Sequence, residues 1–161
     1  MVKWVKLTKN QYLGFFALGL VFFVLQELPY IFMPFIPLDA NPLMEMLDKS
    51  AILNVIEKVL GISCIIVMLF IVRSDAKWFS LSTSKEKVFF SVAVLSIIGY
   101  FVGWILYYCG FQSMPLILCS LVALPLIYYT FIGLWRRNYA LAALGSIFFI
   151  AHISNVWNNL T

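Results

Sequence analysis

Apolar residues run through this chain in five blocks, separated by short polar breaks. The blocks cover roughly residues 12–36, 51–72, 88–109, 114–135 and 139–158. A hydrocarbon core about 30 Å thick needs about 20 helical residues to cross it. Each block meets that length, and the alternating ten-residue pattern of a membrane β-barrel is absent. The pattern predicts an all-α, polytopic membrane protein: a bundle of five transmembrane helices forming one transmembrane domain over residues 1–161.

The breaks carry matching punctuation. Thr83 and Glu86 have the spacing of a capping box at the start of the third span. Residues 110–113 leave room only for a tight turn, and Pro115 suits the first turn of a helix. Arg136, Arg137 and Asn138 form a short polar turn before the last span. Trp78, Trp135 and Trp157 fall near the predicted interfaces, and Tyr128 and Tyr129 read as aromatics of the same belt. Gly99 and Gly103 form a G-x-x-x-G spacing, which permits close helix approach within one chain or between two copies in a homodimer.

Composition sharpens the class. The chain is 63% hydrophobic and 11% charged, with a mean hydropathy of +0.98. A soluble domain carries about 25% charged residues, so the lipid bilayer is the expected solvent for much of this surface. The net charge of +4 does not point to nucleic acid. Its basic residues are split among short segments flanking the apolar blocks, and no nucleic-acid-reading motif is present.

Those basic residues orient the chain. With the N-terminus cytoplasmic, the inner segments hold Lys3, Lys6, Lys9, Arg73, Lys77, Lys85, Lys87, Arg136 and Arg137, and the outer segments hold only Lys49. This asymmetry is the positive-inside signature, and it puts the C-terminus outside. The first apolar run is too long for a signal-peptide core and reads as a retained span. The expected location is a plasma membrane, of the bacterial cytoplasmic type. Cys64, Cys109 and Cys119 form no C-x-x-C pair and read as small hydrophobes, with a disulfide across the 110–113 turn left open.

Three ionisable side chains stand inside the predicted spans: Glu27, Glu57 and His152. Such groups are costly in hydrocarbon and mark functional sites by default. At 1.5 Å per residue, Glu27 lies about 22 Å above Tyr12, Glu57 about 9 Å below the outer edge, and His152 about 20 Å above Tyr139. One outer layer is expected. Gln26 and Tyr30 join it from span one, Asn54 and Lys58 from span two, and Asn155 from span five. Glu27 with Tyr30, Asn54 with Glu57, and His152 with Asn155 are i, i+3 pairs, so each pair shares a helix face. Pro29 removes a helical hydrogen bond beside Glu27 and leaves the Leu25 carbonyl without its donor. The segment after it, with Pro34, Pro37 and Pro42, is expected to leave the helix irregularly and fold back as a lid.

Two carboxylates and an imidazole suit a cation-binding pocket or an acid–base pair. The leading expectation is an outward-facing polar pocket. It would bind or help transport a small cationic or amphiphilic ligand, with Glu27, Glu57, His152, Gln26, Tyr30, Asn54 and Asn155 as its ligand-binding residues. One alternative is a small intramembrane enzyme modifying a lipid or isoprenoid through a carboxylate–histidine pair. Another is an accessory or immunity subunit whose polar layer meets a larger membrane complex. Glu and His also ligate divalent metals, but no tight spacing such as H-E-x-x-H occurs, so no metal or cofactor is expected. Nor is there a P-loop, a dinucleotide fingerprint or a hydrolase nucleophile motif.

Overall fold

The computed structural model describes residues 2–75 and 77–161. Five helices are long and apolar enough to span a membrane: α1 (Ala17–Phe32, extended by a 3₁₀ turn over Met33–Phe35), α2 (Ala51–Phe70), α3 (Ser84–Tyr108), α4 (Met114–Trp135) and α5 (Tyr139–Leu160). Large apolar side chains such as Ile52, Leu95 and Ile150 point outward along them, as a lipid-facing surface requires.

The feature that the hydropathy pattern hid is a small antiparallel sheet. Strands β1 (Val2–Lys6), β2 (Gln11–Phe15) and β3 (Ile71–Arg73) lie in the order β1-β2-β3. Gln11 pairs with Arg73, and Leu13 with Ile71. Span one therefore begins at Ala17 rather than at residue 12, and span two ends at Phe70 rather than at residue 72. The reason is local. Gln11–Phe15 is apolar enough to extend the next helix by composition, yet it finds a strand partner in the β1 edge. At Gly14 a Cβ would lie 2.1 Å from the Val2 carbonyl oxygen, so the hairpin closes only around a glycine. The sheet joins the feet of α1 and α2, and the Phe16 N–H donates to the Leu69 carbonyl between them at 2.8 Å.

Caps set the other ends. Thr83 and Glu86 complete the expected capping box of α3. Asn138 caps α5 by accepting from the Leu141 N–H at 3.2 Å, and its amide donates to the Val67 and Ile71 carbonyls of α2 and β3. One buried side chain thus ties three elements together. Beside it, Arg73 makes a two-pronged pair with Asp75 at 2.9 and 3.1 Å, which holds the Asp75 carboxyl below its ordinary range. Arg136 lies over the Phe16 ring at 4.4 Å, and burial pushes its guanidinium down to about 10.

Two apolar clusters fill the bundle. One, near the sheet, centres on Phe16, Met68, Tyr128, Ile132 and Trp135. The other surrounds Tyr100, Trp104, Tyr107, Ile117 and Leu121. Trp135 and the Tyr128–Tyr129 pair, expected at the membrane interface, are instead buried, with the Trp135 indole N–H donating to the Ser80 carbonyl at 2.8 Å. Cys109 and Cys119 are both free thiols.

α4 is not uniform. Residues Ile117–Ala123 form a π-helical segment between α-helical ends. It meets α3 at Gly103, where a Cβ would stand 2.5 Å from the Ser120 Cβ and 3.0 Å from Leu121 Cδ2. At Gly99 a Cβ would be 2.8 Å from Leu124 Cδ1. The G-x-x-x-G face is therefore engaged inside the chain against α4, where it gives the close approach that a homodimer contact would also need. Gly103→Ala is expected to destabilise the fold by about 1–3 kcal/mol, as overpacking a filled contact does. The measurement is the midpoint of thermal unfolding in detergent; an unchanged midpoint would contradict the tight α3–α4 contact.

Candidate functional site

α1 leaves its helix after Phe32, and the chain then runs without regular structure from Ile36 to Ser50, apart from a short turn, before α2 begins. This loop folds back as expected. The Tyr107 hydroxyl of α3 donates to Asn41 Oδ1 at 2.7 Å and accepts from the Leu43 N–H at 3.2 Å. Gln112 donates to the Ala40 carbonyl at 2.8 Å, and the Lys49 N–H donates to Asn159 Oδ1 of α5 at 3.2 Å. Leu43, Met46 and Asp48 thereby line the mouth of a cavity of about 570 Å³.

The walls of that cavity come from α1, α2, α4 and α5. All seven residues singled out by sequence line it: Gln26, Glu27 and Tyr30 from α1, Asn54 and Glu57 from α2, and His152 and Asn155 from α5. The i, i+3 pairs do share faces, and those faces converge. The layer is less flat than the arithmetic suggested. With α1 starting at Ala17, Glu27 is ten residues from the sheet end, whereas Glu57 and His152 are each thirteen residues from it. At 1.5 Å per residue, Glu27 sits about one turn deeper.

Glu57 is the satisfied acid. Its Oε1 is 2.9 Å from His152 Nδ1, and its Oε2 accepts from the Asn155 amide. The histidine contact is close but poorly aligned: Nδ1 is beside the carboxylate without an aligned hydrogen bond, so the attraction is chiefly between charges when the imidazole is protonated. The same Asn155 amide donates to Asn54 Oδ1 at 2.7 Å, and Asn159 donates to Asn155 Oδ1 at 3.4 Å. The His152 ring rests against Phe148 with centroids 5.3 Å apart. This chain of groups fixes α5 against α2.

Glu27 has a different setting. It is half-buried, it faces the same cavity, and its carboxylate makes no hydrogen bond or ion pair among the described residues. Its neighbour Gln26 is fully engaged: Oε1 accepts from the Tyr129 hydroxyl of α4, and its backbone carbonyl accepts from the Tyr100 hydroxyl at 2.8 Å. The Pro29 carbonyl accepts from Tyr108 at 2.6 Å as well as from the Met33 N–H. The tyrosines thus bond the Gln26 and Pro29 carbonyls, and not the Leu25 carbonyl that the proline deprives of its helical donor.

Sequence reasoning missed Tyr129, Asp48 and Phe148 as cavity residues. Tyr129 was assigned to an interface by its position near the end of a span. A helical-wheel reading carried through α4 would misplace it, because the π-helical segment shifts the face on which later residues lie. Among the described residues, no three His, Cys, Asp or Glu side chains converge.

Tyr107 is the anchor of the lid loop, so Tyr107→Phe removes one donor and leaves the Leu43 N–H without its acceptor. Amide hydrogen exchange at residues 41–45 is expected to accelerate, with a stability loss of about 1–3 kcal/mol. Exchange as slow as in the parent would show that the loop is held by other contacts. No protein-family model, curated protein or solved structure matches the chain, so the cavity's chemistry rests on its own residues.

Proposed function

We propose that this is a multi-pass plasma-membrane protein, N-terminus cytoplasmic and C-terminus outside. Its cavity opens outward and binds, or helps to transport, a small cationic or amphiphilic ligand. Glu27 is the main anionic contact. The observation that carries the reading is the unpartnered Glu27 carboxylate facing a 570 Å³ cavity inside the apolar bundle. A carboxylate at that depth lowers its energy most by meeting a cation. The rest of the lining agrees in sign: Glu27, Asp48 and Glu57 stand against Lys58 and a titratable His152. Tyr30 adds an aromatic ring, edge-on to Trp104 at 4.9 Å, of the kind that receives organic cations. Cavities of about 300–1,000 Å³ suit small organic ligands.

In this reading Glu57, His152 and Asn155 shape the cavity and tune its charge, and Glu27 meets the ligand. Glu27→Gln is expected to fold normally and to lose at least tenfold in affinity for a quaternary ammonium probe, read as loss of its thermal stabilisation. A variant that unfolds in the absence of any probe would assign Glu27 to structure instead. Orientation has its own measurement: a reporter fused after Thr161 is expected to be active only on the non-cytoplasmic side.

A second reading draws on the 2.9 Å contact between His152 and Glu57. An imidazole held by a carboxylate can move a proton on a bound lipid or isoprenoid. It requires a product, formed from a membrane lipid extract, that disappears with His152→Ala.

A further inference from the structure

The cavity changes character along its length, and the change repeats on two independent helices. On α2 the lining runs from Asn54, Glu57 and Lys58 to Gly61 and Ile65 toward the sheet. On α5 it runs from Asn159, Asn155 and His152 to Phe148 in the same direction. Pro125 and Leu126 of α4 face this lower part. Its one hydroxyl, on Tyr129, is turned onto Gln26 Oε1. At Gly61 a Cβ would be 3.2 Å from the Phe148 ring, so the glycine lets that ring lie against the α2 backbone as an apolar wall.

We infer that the cation bound here carries an apolar body, lodged below Glu27 against Ile65, Leu126 and Phe148; this rests on the proposed role of Glu27. The ligand class is therefore a hydrophobic amine or quaternary ammonium compound, with its charged head at Glu27 and its tail toward the sheet. A purely polar cation such as a small inorganic ion would leave the lower part unfilled. Length can be bounded. Glu27 is ten residues from the sheet end and Ile65 five, a drop of about 7 Å at 1.5 Å per residue. An extended chain advances about 1.2 Å per bond, so the space takes an alkyl chain of about six carbons.

A series of n-alkyltrimethylammonium salts tests this, because their charge is fixed at every pH. The intact chain is reconstituted in lipid nanodiscs, and binding is read by calorimetry and thermal shift, with Glu27→Gln in identical nanodiscs correcting for partition into lipid. Affinity is expected to rise from the tetramethyl to about the hexyl compound by up to fourfold per added carbon, the transfer value of a buried methylene, and then to level off. Ile65→Trp, which fills the floor, and Phe148→Ala, which removes the wall, are each expected to flatten that rise while tetramethylammonium binding stays within twofold. If tetramethylammonium binds as tightly as the hexyl compound, the apolar body is refuted and the role of Glu27 stands. If the rise survives in both variants, the location of the tail is refuted. If no compound binds, or if Glu27→Gln binds them all equally, the reading of Glu27 fails and this inference falls with it.

Discussion

Water is scarce in a bilayer core, so a carboxylate placed there needs its counterpart inside the protein or in a cavity. The two mid-span acids of this chain meet that constraint in opposite ways. Glu57 is neutralised and hydrogen-bonded by α5 through His152 and Asn155. Glu27 has a cavity before it and no protein partner among the described residues. The first arrangement welds α2 to α5. The second keeps α1 apart from them, because direct packing there would close the space that Glu27 faces.

The position of α1 follows from the same division. Its foot is secured by the sheet and by the Phe16–Leu69 hydrogen bond. Its upper half is secured by tyrosine hydroxyls, from Tyr100, Tyr108 and Tyr129, directed at Gln26 and Pro29. Long side chains that end in one polar atom can bridge to α1 without filling the space beside it. Hydrogen bonds of this kind are directional, so they fix the height and rotation of α1 as well as its distance. The lid loop extends the scheme, since Tyr107 uses both its donor and its acceptor on backbone and side chain of residues 41–43.

Much of this was legible in the sequence because the bilayer imposes a simple code. Twenty apolar residues make a span, and Thr83, Glu86, Asn138 and the prolines punctuate it. The cavity's polar members could be found because an ionisable group in an apolar run is rare, and the i, i+3 spacing gave their faces. What stayed hidden depended on partners distant in sequence. Gln11–Phe15 looks helical until Val2–Lys6 and Ile71–Arg73 are set beside it. Trp135 looks interfacial until Ser80 is found to accept its N–H. The engagement of the Gly99–Gly103 face likewise became clear only when Ser120 and Leu124 lay against it. Apolar cavity residues such as Phe148 carry no signal at all, because one phenylalanine in a membrane helix resembles another.

The π-helical stretch of α4 gives the protein an angular degree of freedom fixed by residue count. A π turn holds roughly one residue more than an α turn, and in an α-helix one residue corresponds to about 100° of rotation. Leu121 and Val122 lie within the stretch and Tyr129 beyond it, yet all three face the cavity. Removing a single residue between Ile117 and Ala123 would allow an unbroken α-helix while turning everything after it through more than a quarter of a circle. Tyr129 would leave Gln26, and the end of α4 would meet α5 with the wrong side. In this helix the number of residues matters more than their identity: a deletion among interchangeable leucines and valines would be more disruptive than most substitutions.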